Sequence, residues 1–242
     1  MSRKAARVET PESPWRRALG EYWRQTRRPL VSLAFVLPLL IAYEGGVLLL
    51  GAQAVRNGAD VWLRQFLDQL GFGQYFLLPA LTVGVLLAWH HTTHERWRIS
   101  GPVLYTMLGE CAVLAWVLVV VGRTQSVLLH TLLSAHGAVE SAPATIWTVD
   151  SGSAAWAAAL GFVGAGIYEE VLFRLLLLPP VCLGVTRLGL VRGLGFAAAI
   201  VVTSLLFAGA HYIGRQGEPL ELFSFLFRFT AGAVFATVFV CR

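Results

Sequence analysis

The sequence predicts an all-α fold, a polytopic transmembrane helix bundle of about six spans. Of its 242 residues, 56% are hydrophobic and 14% are charged, whereas an average soluble domain carries about 25% charged residues. The mean hydropathy of the chain is +0.65. Lipid accepts this much apolar surface, which a soluble fold of the same size could not bury. We therefore expect an integral membrane protein.

Six apolar segments approach or exceed the length of helix, about 20 residues, that crosses the hydrocarbon core. The predicted spans are residues 30–50, 72–89, 103–121, 154–178, 194–213 and 220–240. The apolar segment 126–135 is too short to span alone. We expect it to lie at the membrane interface or to re-enter the membrane.

Basic residues are concentrated ahead of the first predicted span. The net charge is +5, and the arginines and lysines before Leu30 are Arg3, Lys4, Arg7, Arg16, Arg17, Arg24, Arg27 and Arg28. Such a cluster beside a span is typical of a cytoplasmic arm that contacts anionic lipid headgroups. Residues 1–29 are therefore predicted to form this arm and residues 30–242 the transmembrane domain.

The same charge pattern predicts the location and partners of the chain. The loops alternate between basic and charge-balanced, which places the N-terminus in the cytoplasm. The basic region ahead of the first apolar run is too long for a signal peptide, so a cleavable signal peptide is not predicted. We expect the inner (plasma) membrane of a bacterium, membrane lipids as partners, and no nucleic acid.

The fourth predicted span carries Glu169, Glu170 and Arg174, and ionisable groups inside a span are costly and indicate function. Glu170 and Arg174 are four residues apart with the acid first, which is the favourable helical pairing. Glu169 lies about 100° further round the helix, so it pairs with Arg174 less readily. An unpaired carboxylate can act as a general base. A structural charge cluster that holds helices together explains the same residues.

The fifth predicted span brings Ser204, Phe207 and His211 onto one helical face. The small residues 208–210 let another helix approach closely. A histidine here can bind a metal, orient a water or stabilise an oxyanion. A histidine that only sits at the membrane interface is the alternative.

Glu169-Glu170-x-x-x-Arg174, followed on the next span by Phe207-x-x-x-His211, resembles the first two motifs of the CAAX protease and bacteriocin-processing (CPBP) family. That family includes the type II CAAX prenyl endopeptidases, and the resemblance covers residues 154–242. It implies a multi-span intramembrane endopeptidase that cleaves membrane-anchored or lipid-tailed protein or peptide substrates.

The resemblance also implies a role for each motif residue. Glu169 would activate water, Glu170 and Arg174 would form its supporting pair, and His211 would hold the water or the oxyanion. Members were long called metalloproteases and more recently glutamate-dependent proteases. No cofactor is therefore certain, and a divalent metal such as zinc on Glu169 and His211 stays open.

The sequence departs from the family pattern after the second motif. Members usually carry a third motif, a histidine followed four residues later by asparagine or aspartate, whereas no histidine follows His211. We expect either a longer chain or a member without that motif. Counting along the predicted spans places Glu169 and His211 toward opposite faces. They can meet if the span limits shift or if a helix breaks, for example at Pro179-Pro180.

Two other function classes fit parts of the pattern. One is a non-catalytic membrane scaffold or immunity protein with the same bundle. The other is a transporter whose ionisable residues relay protons, namely Glu44, Glu110, Glu169 and His211. Transporters often show inverted repeats, and no repeat is visible in this sequence.

Some ionisable residues outside the motifs are weaker candidates. His90 and His94 could chelate a metal from one helical turn, although a solvated loop is the plainer interpretation. Glu44 and Glu110 could line a cavity or pair with Arg228.

Overall fold

The computed structural model describes residues 13–51, 56–135, 153–187, 189, 191–214 and 217–241. These residues form helices and no strand, which confirms the all-α prediction. In chain order the helices are α1 Pro14–Thr26, α2 Pro29–Leu50, α3 Gly58–Gln69, α4 Leu77–Thr92, α5 Gly101–Ala135, α6 Ser153–Glu169, a π-helical segment Glu170–Leu177, α7 Leu178–Arg187, α8 Arg192–Ala210 and α9 Leu222–Cys241.

Helices long and apolar enough to cross a membrane are α2, α5, α8 and α9 within the described residues. Helix α4 is apolar but has only 16 residues, and α6 has 17 before it continues into the π-helical segment. Each predicted span overlaps an apolar helix, so the chain is an integral membrane protein. The count of about six spans is not confirmed.

The prediction of a separate interfacial segment at residues 126–135 is wrong, because these residues are the last turns of the 35-residue helix α5. Two contacts with α9 explain why the helix continues. Gln125 Nε2 donates to Thr230 Oγ1 at 2.7 Å, and a Cβ on Gly122 would lie 2.9 Å from the Phe227 ring. Gln125 and Gly122 therefore face a neighbouring helix.

Helix α6, the π-helical segment and α7 follow one another without a break over residues 153–187. The helix is not broken at Pro179 and Pro180, but it widens before them, and Leu178 N–H donates to the Phe173 carbonyl five residues back. Prolines lack the N–H groups that an α-helix would need at these positions. Wide turns of this kind are frequent at functional sites.

Helices α2 and α6 pack closely and run in opposite directions. A Cβ on Gly46 would lie 2.5 Å from Leu160, and a Cβ on Gly164 would collide with the Tyr43 ring. Residue numbers at these contacts rise along α6 as they fall along α2, so the two helices are antiparallel. The apolar core beside them joins α2, α3, α4 and α6 through Leu40, Tyr43, Val47, Ala59, Leu63, Leu78, Ile167 and Tyr168.

Helices α8 and α9 form a second tight pair. A Cβ on Gly232 would lie 3.0 Å from the Phe207 ring and 3.3 Å from Ser204. Small residues at such a contact let helices approach closely within a membrane. This pair holds the Phe207-to-His211 turn in place beside α6.

Candidate active site

The structure brings Glu169 and His211 to the same level of the bundle. Helices α7 and α8 lie side by side, and a Cβ on Gly195 would be 3.2 Å from Thr186. Glu169 lies 18 residues before Arg187 at the end of α7, and His211 lies 19 residues after Arg192 at the start of α8. At about 1.5 Å per residue, both lie roughly 27 Å from the connection between these helices.

The conflict that the sequence predicted between these two residues came from the span limits. The fourth span was expected to end at Leu178, whereas the helix continues to Arg187. The extra turns move Glu169 away from the end of its helix and toward the level of His211. Of the two expected remedies, the shift in span limits is the one that the structure shows.

Glu169 and His211 approach each other without a direct hydrogen bond. His211 Nε2 lies 3.7 Å from Glu169 Oε1, and the two side chains are 23% and 15% exposed. A heavy-atom separation of this size is beyond a hydrogen bond. It leaves room for a water that contacts both groups from the side.

The protonation of His211 follows from its contact with the preceding turn. His211 Nδ1 lies 2.8 Å from the Phe207 carbonyl oxygen. Because a carbonyl can only accept, Nδ1 carries a proton, so Nε2 is an acceptor in the neutral ring and a donor in the imidazolium. With a neutral ring, Glu169 and His211 present two acceptors to one position, which suits a water that donates a hydrogen to each.

Asn57 completes the surroundings of Glu169, and the sequence did not single it out. Its side-chain Nδ2 donates to Glu169 Oε1 at 2.9 Å. Its Oδ1 accepts from the Ala59 N–H at 2.8 Å and so caps helix α3. Because the cap uses the oxygen, the amide must present its nitrogen to the carboxylate. The available signal was the N-cap pattern, asparagine followed three residues later by Asp60.

Glu170 and Arg174 form the predicted i,i+4 pair, with Arg174 Nη1 3.4 Å from Glu170 Oε1. Arg174 is 2% exposed, and its guanidinium lies 4.5 Å from the centre of the Phe207 ring. The same ring packs edge-on against His211 at 5.0 Å. The pair therefore stands behind Phe207 and supports the turn that positions His211.

A buried ionic cluster lies beside Glu169 and consists of Tyr43, Glu44, Arg56, Asp60, Arg64 and Tyr168. Asp60 accepts from the Tyr43 hydroxyl at 2.8 Å, from Arg56 at 2.5 Å and from Arg64 at 2.6 Å. Glu44 accepts from Arg64 at 2.7 Å and from the Tyr168 hydroxyl at 2.6 Å. These contacts fix α3, and with it Asn57, against α2 and α6.

The pairing of Glu44 or Glu110 with Arg228 is wrong. Glu44 belongs to the ionic cluster, Glu110 accepts from the Tyr22 hydroxyl at 2.5 Å, and Arg228 pairs with Glu218 at 2.7 Å. Each acid has a closer partner on a helix that packs beside it. Of the four residues considered for a proton relay, only Glu169 and His211 come together.

His90 and His94 do not form the metal site considered above, and His90 is not solvated. His90 is fully buried, and its ring packs edge-on against Trp97 at 4.7 Å. Its nitrogens have no hydrogen-bond partner among the described residues. Trp97 folds back over the end of α4 and removes this histidine from water.

Metal binding at Glu169 and His211 stays a prediction. The described residues contain no group of three metal-ligating side chains, and a catalytic zinc usually takes three protein ligands. Glu169 and His211 supply two donors to one position. Asn57 already donates to the carboxylate, which suits an anionic base more than a metal ligand.

Comparison with known proteins concerns the C-terminal part of the chain. No curated protein and no solved structure gives a significant match to the sequence. Residues 151–242 match a family model described as type II CAAX prenyl endopeptidase Rce1-like. Asn57 and most of the ionic cluster lie outside that segment. Over residues 151–242 the chain thus matches the Rce1-like family of type II CAAX prenyl endopeptidases, which confirms the resemblance predicted from its two motifs and points to a CAAX-type intramembrane protease.

Proposed function

We propose that this chain is an intramembrane endopeptidase that cleaves membrane-anchored or lipid-tailed proteins with a water activated by Glu169. The observation that carries the proposal is the geometry at Glu169 and His211. The Glu169 carboxylate and His211 Nε2 lie 3.7 Å apart, and with a neutral imidazole both can accept from one water. The family match over residues 151–242 supports peptide hydrolysis as the reaction.

The reaction follows from the hydrogen-bonding capacity of these groups. Glu169 takes a proton from the bound water, whose oxygen then bonds to the carbonyl carbon of the scissile peptide. The C–N bond breaks as Glu169 returns that proton to the leaving nitrogen. His211 orients the water through Nε2, and in its protonated form it donates to the oxyanion instead.

Each supporting contact has a defined task in this proposal. Asn57 holds Glu169 Oε1 through its amide N–H and so fixes the orientation of the base. The Phe207 carbonyl fixes the tautomer of His211. Glu170 and Arg174 support Phe207 from behind and are positioning residues. A divalent metal such as zinc, if bound by Glu169 and His211, would polarise the water or the substrate carbonyl.

The substrates and location complete the proposal. Sorting tails, leader peptides and other membrane-anchored proteins of a bacterial inner membrane are the proposed substrates. Their apolar tails would bring them to the site laterally through lipid. The basic arm places the N-terminus in the cytoplasm.

The test compares Glu169→Gln with wild type on a membrane-anchored reporter in detergent. Glutamine keeps the shape of the side chain but cannot accept the proton, so cleavage should disappear while thermal unfolding stays unchanged. Glu221→Gln is the matched control, because Glu221 is exposed and lies ahead of α9. Substantial turnover by Glu169→Gln would exclude it as the base. If wild type itself did not cleave the reporter, a scaffold protein would explain the bundle better.

A further inference from the structure

A large basic cavity lies away from the candidate active site, at the opposite half of α2. It has a volume of about 790 Å³ and lies between the end of α1, the start of α2 and the loop that joins α4 to α5. The charged side chains on which the argument depends are Glu21, Arg24, Arg28, Glu95, Arg96 and Arg98.

The charges of this cavity do not cancel. Arg24 pairs with Glu21, and Arg28 Nε lies 3.5 Å from Glu95 Oε2. Arg96 and Arg98 have no ion pair or side-chain hydrogen bond with any other described residue. Two guanidinium groups therefore face the cavity without an anionic partner among the described residues.

The loop that carries these two arginines is held in place. Arg28 Nη2 donates to the Arg96 carbonyl oxygen, and the Arg98 N–H donates to the same oxygen at 2.8 Å. Trp97 between them packs on the buried His90. The guanidiniums of Arg96 and Arg98 consequently project from a fixed backbone.

The surrounding helix ends place the cavity at a membrane surface. The apolar helices α2 and α5 begin at Pro29 and Gly101, and α4 ends at Thr92. Trp97 is 62% exposed, as is common for tryptophan at the level of lipid headgroups.

We propose that this cavity binds the phosphate of an anionic lipid headgroup, with Arg96 and Arg98 as its ligands. Guanidinium groups bind phosphate oxygens through paired, charge-assisted hydrogen bonds. The position of the cavity at the ends of apolar helices selects a phosphate that is carried by a lipid. Such a lipid would tie the basic arm and the α4–α5 loop together.

The test measures thermal unfolding of the full chain in detergent during titration with short-chain phosphatidylglycerol. Phosphatidylcholine and inorganic phosphate are titrated in parallel. Phosphatidylglycerol should stabilise wild type at a lower concentration than phosphatidylcholine or inorganic phosphate. The double variant Arg96→Gln/Arg98→Gln should need at least about tenfold more lipid for the same stabilisation. This is the change expected if the two arginines together contribute a factor of about ten to the affinity.

The matched control is Arg16→Gln/Arg17→Gln, which removes the same charge from exposed positions on α1 that do not line the cavity. Equal weakening in both double variants would mean diffuse attraction and would overturn the proposal. Stabilisation by inorganic phosphate at the same concentration would overturn the lipid assignment. If the glutamine variant fails to fold, Arg96→Lys/Arg98→Lys keeps the charge but loses the paired geometry. It should then bind more weakly than wild type, and unchanged binding would contradict the proposal.

Discussion

Replacing Asn57 with serine should separate its two hydrogen bonds. Asn57 Oδ1 caps α3 through the Ala59 N–H, and Nδ2 donates to Glu169. Serine caps helices about as well as asparagine, but its short side chain has no amide to reach the carboxylate. Asn57→Ser should therefore keep α3 in place and release Glu169.

The size of the effect follows from the kind of bond that is lost. A hydrogen bond to a charged group contributes a net of about 1.5–3 kcal/mol. If all of it acts to orient the base, kcat/KM should fall by about 10- to 150-fold. The midpoint of thermal unfolding should change little, because the cap remains. Asn57→Ala should lose the same activity. It should also lose about 1 kcal/mol of stability, because alanine cannot cap the helix.

The assay needs a readout of the contact as well as of cleavage. Asn57 is the only asparagine in the sequence, so selective ¹⁵N labelling gives a single asparagine side-chain amide signal. The position of this signal should differ between wild type and Glu169→Gln, because the amide then donates to a neutral acceptor instead of a carboxylate. That difference reports the contact independently of proteolysis.

Three results would refute this reasoning. Cleavage of the reporter by Asn57→Ser at the rate of wild type would mean that Glu169 needs no donor from α3. Equal losses of stability in Asn57→Ser and Asn57→Ala would assign Asn57 to capping alone. An asparagine amide signal that is identical in wild type and Glu169→Gln would show that the contact itself is absent.

Three further predictions use other contacts. Glu170→Gln should leave buried Arg174 without its ion-pair partner and lower the free energy of unfolding, measured by thermal melting. The loss should be smaller than the about 3–5 kcal/mol of a fully buried pair, because the Glu170 side chain is 42% exposed; full stability with lost turnover would assign Glu170 to the chemistry. Gly164→Ala should destabilise by about 1–3 kcal/mol because its Cβ meets a tyrosine ring, while Gly166→Ala, with open space around it, should not; equal effects would contradict the packing. Ser2→Cys should resist an impermeant thiol reagent on sealed cells, and efficient labelling would reverse the proposed orientation.

The sequence predicted those features that depend on neighbouring residues. Long apolar runs require lipid, whichever helices they pair with. The Glu170–Arg174 pair depends only on helical spacing, and the structure contains it. The order of the two motifs also sufficed to bring Glu169 and His211 into one hypothesis. Their proximity in the structure does not test the chemical roles assigned to them.

The sequence could not predict the features that depend on distant pairing. Asn57 and Glu169 are separated by 112 positions, and Glu44 and Tyr168 by 124. The residues next to Asn57 in the sequence do not reveal whether it only caps α3 or also holds the Glu169 carboxylate. The end of the fourth predicted span was placed too early for a related reason. Residues 179–187 lose hydropathy through prolines and polar residues, yet they continue the helix because α8 packs beside them.

The candidate site depends on the N-terminal half, although the family match covers only residues 151–242. Glu169 Oε1 both accepts from Asn57 and faces His211, so this carboxylate is oriented only when α3 is docked. Docking rests on the ion pairs of Asp60 and Glu44 with arginines of the same cluster. Buried ion pairs gain little net stability once desolvation is counted. They do constrain geometry, because a shifted α3 would leave several charges unpaired at once. We therefore infer that the ionic cluster sets the position of α3, and through Asn57 the direction of the Glu169 carboxylate.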